Sequence, residues 1–184
     1  MPPNRTQLYD SAPYAELLSV LLRQYRRPLL ARGVPISDAD ADQMAAAIAE
    51  GKPAGDRHDA IIRALRDAVA ESEGVLSGWG LTFAQSLDTP MDAIPGWEST
   101  AEFLALAEQK ANAELRIATG AALLVAMGDK TYAAHVLTLI ERERRSGEID
   151  LDTVIARRAL ISRSGVNPRD PDWLEQAKTW AHTP

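Results

Sequence analysis

Asp38, Asp40 and Asp42 in ISDADADQM recur at every second residue, the spacing with which an EF-hand loop offers its first carboxylates to calcium. That loop also needs glycine at its sixth position and glutamate at its twelfth, where this chain has Gln43 and Ala49. Ser37 as an N-cap, followed by acidic residues in a first helical turn, accounts for the same stretch, so it predicts a helix start. Gly51–Lys52 has no phosphate-cradling loop before it and Pro53 directly after it, which excludes a P-loop. GVLSG at 74–78 puts Ser77 three residues after Gly74 rather than two, and it lacks the strand a nucleophile elbow requires. The chain contains no cysteine, so thiolate catalysis, disulfides and cysteine-ligated metals are all excluded.

The three histidines are equally poor candidates. His58–Asp59 has the form of the pair found in metal-dependent phosphohydrolases, but those enzymes use a further histidine upstream, and none precedes residue 58. The pair reads better as an exposed helix start. His135 lies beside the apolar face of its helix without a second histidine or a glutamate at metal-binding spacing. His182 falls in the last residues. The sequence therefore implies no cofactor and no metal site.

The elements that would position such residues read as helical throughout. Alanine is abundant, aromatic residues are few, and no segment alternates with a period of two. Ser11 and Pro13 open a first helix with Leu17, Leu21 and Tyr25 on one face; Pro28 should kink or end it. Arg23, Arg26, Arg27 and Arg32 form a basic cluster there, read as a solvated face that complements the helix C-terminus. A helix is expected from about Asp56 to Glu73. Ser99 should cap the next, followed by helices near 113–127 and 130–145 separated at Gly128–Asp129. A further helix from about Asp152 to Gly165 and a terminal one after Pro171 complete a single all-α domain over residues 1–184. Its parts are N-terminal helices in 11–73, an irregular glycine-, tryptophan- and proline-rich segment at 74–98, and helical hairpins from 99 to 184.

Residues 114–141 combine an alanine-rich helix, a Gly–Asp turn and a leucine-rich helix, carried by Leu115, Arg116, Ala118, Ala122, Leu123, Met127, Gly128, Asp129, Ala133, Val136, Leu137 and Ile140. A shift of 37 residues lays Ala122–Leu123–Leu124 on Ala159–Leu160–Ile161 and Gly128 on Gly165. This pattern resembles HEAT-type repeats, whose period is roughly 40 residues. The resemblance covers 99–181, with Val166 where the turn aspartate would stand, and implies stacked antiparallel hairpins.

Residues 37–99 hold twelve acidic and four basic side chains. That balance disfavours nucleic acid and suits a basic partner protein. No apolar run is long enough for a membrane span, and MPPNRTQLYDSAP has no signal-like core, so a cytoplasmic protein is expected. The expected function is a non-catalytic protein-interaction or regulatory module. One alternative is a small-molecule binder or enzyme with a pocket near 74–97, involving Trp79, Trp97, Asp88 and Asp92; the other is a structural homo-oligomer. The site itself is expected in 74–97 rather than at the histidines, because irregular chain, glycines and large indoles coincide there.

Overall fold

A computed structural model of the chain describes residues 11–91, 98–147 and 149–184, and its regular elements among these residues are nine α-helices with no strand. They are α1 (Tyr14–Gln24), α2 (Arg26–Ala31), α3 (Asp38–Ala49), α4 (His58–Ser77), α5 (Phe83–Asp88), α6 (Thr100–Ala126), α7 (Ala133–Ser146), α8 (Leu151–Ser164) and α9 (Trp173–His182). No described helix is long and apolar enough to cross a membrane.

The N-terminal helices follow from capping and periodicity. Pro13, not Ser11, stands at the N-cap of α1, which buries Leu17, Leu18, Leu21 and Leu22. The chain breaks at Tyr25, and Pro28 is third in α2. A first-turn amide has no intrahelical partner to lose, so proline neither kinks nor ends a helix there. Ser37 and Asp40 form the expected capping box: the Ser37 hydroxyl accepts from the Asp40 amide at 3.0 Å, and the Asp40 carboxylate accepts from the Ser37 amide at 2.8 Å.

Two boundaries differ from the sequence expectation. The helix predicted to stop at Glu73 runs one turn further, because Gly74 is tolerated inside it. The helices predicted on either side of residue 113 are one element, the 27-residue α6. Between Thr100 and Thr119 it contains no glycine or proline, and its alanine, leucine, glutamate and lysine all favour helix.

The core is built around the C-terminal half of α6, where every residue from Ile117 to Met127 is buried. A helix that is buried all round needs neighbours on all sides. Here α4, α8, α7, α5 and α1 supply them. Small residues permit the approach, most sharply at Gly120. A methyl group added there would lie 2.4 Å from Val69 Cγ2 and 2.9 Å from the Tyr25 hydroxyl. Tyr25 in turn donates to the Arg116 carbonyl at 3.3 Å, and burial pushes its hydroxyl up to about 12.

The turn after α6 joins three elements. Gly128, with φ of +88°, permits the reversal. Asp129 is buried, which pushes its carboxyl upward. The Thr131 amide at 2.8 Å and the Arg66 guanidinium at 2.7 Å outweigh that effect and hold it below the usual carboxylate range. Lys130 donates to the carbonyls of Trp180 and Thr183, both at 2.9 Å, and sits 4.4 Å above the Trp180 ring. Arg163 on α8 donates to the Ala126 carbonyl at 2.8 Å. By these contacts α8 lies against α6 and α7, and α9 against α8 and α7.

Part of the charge asymmetry is met within the molecule. Arg23 pairs with Asp42 at 2.8 Å, Arg26 with Asp38, Arg57 with Asp40 at 3.2 Å, and Arg32 with Glu71. Exposed pairs of this kind add little to stability. Three of them join the basic cluster of Arg23, Arg26 and Arg32 to the acidic section.

Candidate functional site

The last turn of α4, the turn that follows and the first residues of α5 come back towards α7. Gly80 adopts φ of +73°, its amide donates to the Ser77 carbonyl at 2.9 Å, and the Leu81 amide donates to the Leu76 carbonyl at 3.1 Å. This is a Schellman closure, which needs a left-handed residue and so selects glycine. Thr82 then opens α5 through a capping box with Gln85. Phe83 is thereby turned inward and Ala84 outward.

A cavity of about 610 Å3 is left between α4, α5 and α7. Glu73, Gly74 and Ser77 line it from α4, Leu81 to Ala84 from the turn and α5, and Ala134, His135 and Thr138 from α7. The His135 ring stacks on Phe83, with centroids 5.2 Å apart and planes 18° apart. Tyr132 meets the same ring edge-on at 5.2 Å. His135 Nε2 lies 3.5 Å from a Glu73 carboxylate oxygen. Burial lowers the imidazole below its ordinary value, and the Glu73 charge only partly restores it. The ring is therefore neutral at pH 7, able to donate or accept a hydrogen bond.

The chemistry available is modest. The only acidic side chain of the lining is Glu73, and no lysine or arginine lines the cavity. Among the described residues, no group of three histidines or carboxylates is placed to hold a metal ion. A second concavity of about 710 Å3 contains His58, Arg66, Asp129, Lys130 and His182 and is more open to solvent. Its charged groups are already engaged in the Arg66–Asp129 and Lys130 contacts. His58 accepts from the Ala54 amide at 2.9 Å, and His182 Nδ1 lies 2.6 Å from the Lys178 carbonyl.

The residues singled out from sequence are dispersed. Trp79, between two glycines, is half-buried against the core and does not line the cavity. Asp88 is exposed at the end of α5, 3.4 Å from Arg145. Asp92 and Trp97 lie outside the described residues. The segment and the histidine that sequence reading set against each other meet in one cavity: 74–84 forms two walls and His135 the third. Glu73 and His135 are far apart in the chain, and no local spacing marks them as neighbours. The only signal was the position of His135 at the edge of an apolar face. No family model, curated protein or solved structure matches the chain.

Proposed function

We propose that this protein binds a small organic molecule in the α4–α5–α7 cavity. The observation that carries this reading is a space of about 610 Å3 with apolar walls and a few convergent polar groups. Ligand pockets typically measure about 300–1,000 Å3 and have that composition. Binding of a basic partner protein through the acidic 37–99 section has less support, because four of its carboxylates, those of Asp38, Asp40, Asp42 and Glu71, already face arginines of the same chain. The hairpins α6–α7 and α8–α9 are read as two copies of one HEAT-like unit. That reading is supported by the positive-φ glycines, Gly128 and Gly165, that follow the first helix of each pair.

The test is to fill the cavity from an exposed position. Ala84→Trp places an indole in the space without touching the core. Native mass spectrometry of the wild-type protein incubated with a cell metabolite extract should show a small-molecule adduct. Ala84→Trp should lose it while melting within a few degrees of wild type. An adduct retained in full by the variant, or none on the wild type, removes the proposal.

A second reading, association of two copies through α6, rests on one observation. Leu104 and Leu115 are 61% and 52% exposed and share a face with exposed Ala111. Single exposed leucines are ordinary, whereas an aligned apolar stripe suits a partner helix.

A further inference from the structure

Resting on the cavity reading above, we infer that the ligand is a small organic cation, an ammonium group on a compact apolar body, with the nitrogen held by Glu73 and the body against Leu81, Phe83 and Ala84. The argument begins with charge. Glu73 is the one acidic side chain of the lining, that side chain is about two-fifths exposed, and no lysine or arginine of the lining opposes it. It faces His135 Nε2 at the long distance of 3.5 Å. Burial keeps that imidazole neutral at pH 7, so the cavity carries an uncompensated negative charge. An anionic ligand would meet that charge without a counter-ion. A neutral one would leave it unused.

The walls define the rest of the ligand. The Phe83–His135 stack is a flat, rigid surface fixed from behind by Tyr132, whose hydroxyl is raised by burial and is itself uncharged at neutral pH. Leu81, Ala84 and Ala134 complete an apolar floor. Ser77 and Thr138 supply hydroxyls that can accept hydrogen bonds from the remaining ammonium N–H groups.

The same arrangement makes binding depend on pH. The titratable groups facing His135 are Glu73 from α4 and Tyr132 at the N-cap of α7; α5 contributes none to the lining. When His135 is protonated, its imidazolium satisfies Glu73 and repels the ammonium. Affinity should therefore be full above pH 7 and fall as the pH drops through the lowered His135 value.

Three probes of one shape separate the alternatives: phenethylamine, 2-phenylethanol and 3-phenylpropionate. Titrations followed by the His135 ring proton in NMR should show phenethylamine binding at least tenfold more tightly than either of the others at pH 7.5. Its affinity should fall as the pH is lowered through the His135 titration, and Glu73→Gln should abolish the preference for the amine. Equal binding of the alcohol would overturn the cation assignment and leave the cavity reading intact. Preference for the carboxylate, or an unchanged amine affinity in Glu73→Gln, would also overturn it. Failure of all three probes to move the His135 signal would overturn the assignment and the cavity reading together.

Discussion

From Ile117 to Met127 every residue is buried, whereas from Thr100 to Asn112 Lys110 alone is. Both stretches belong to α6, so helix formation and burial have separate causes in this chain. The helix is set by its ends: the Ser99 hydroxyl accepts from the Glu102 amide at 3.2 Å, and Gly128 closes the other terminus. Burial is set by side-chain size. The buried half reads IATGAALLVAM, with five small residues in its first six positions, and α4 comes close enough that Gly120 has no room for a methyl group. The exposed half places Glu102, Glu108 and Gln109 among its apolar residues and is tied down at its base. There Lys110 pairs with Glu114, which accepts from the Ser86 hydroxyl of α5 at 2.7 Å.

The sharpest way to break this contrast is to add one carbon to the buried half. Gly120→Ala should lower unfolding free energy by about 2 kcal/mol, although alanine ordinarily stabilises a helix by about 1 kcal/mol over glycine. The nearest obstruction is Val69 Cγ2. Combining Gly120→Ala with Val69→Ala should therefore recover at least about 1 kcal/mol relative to the sum of the single changes. Urea denaturation of the three variants measures this. Strict additivity would show that the two helices do not meet at that point.

A smaller effect of opposite sign is expected one residue away. Thr119 is 2% exposed, and its hydroxyl has no hydrogen-bond partner. Valine has the same shape without the polar group, so Thr119→Val should raise stability by about 1 kcal/mol. A loss on the same urea assay would mean that the hydroxyl is satisfied in solution.

The contrast also explains what the sequence revealed. The helical class, the Ser37 cap, the Ser99 cap and the breaks at Gly128 and Gly165 were legible because each rests on neighbouring residues. The false break at 113 arose from treating the alanine-rich pattern as the start of a new element, when nothing there interrupts the backbone. The Glu73–His135 pairing was not legible, since it depends on how far α4 stands from α7. Phe83 stacks on the imidazole across that gap, a tertiary contact that no local pattern announces. Of the glycines of 74–80, Gly74 lies inside α4 and lines the cavity, and only Gly80 takes a left-handed conformation. The indole of Trp79, chosen from the same segment for its size, packs on the core instead.

The smallest expected effect lies in the exposed half. Leu104 is 61% exposed, so replacing it with glutamine removes little buried apolar surface, and glutamine is nearly as good a helix former as leucine. The stability of the isolated chain should change by no more than about 0.5 kcal/mol, the usual range for surface positions. If two copies associate through the Leu104–Ala111–Leu115 stripe, however, each meets the other's exposed leucines. Leu104→Gln then replaces an apolar contact twice, once per copy, and sedimentation or light scattering should show a dimer in the wild type and a monomer in the variant. A monomer in both, with unchanged stability, would leave Leu104 as an exposed side chain without a partner copy. A large stability loss in a monomeric variant would contradict the contrast itself, because it would mean that Leu104 is covered by the rest of the chain.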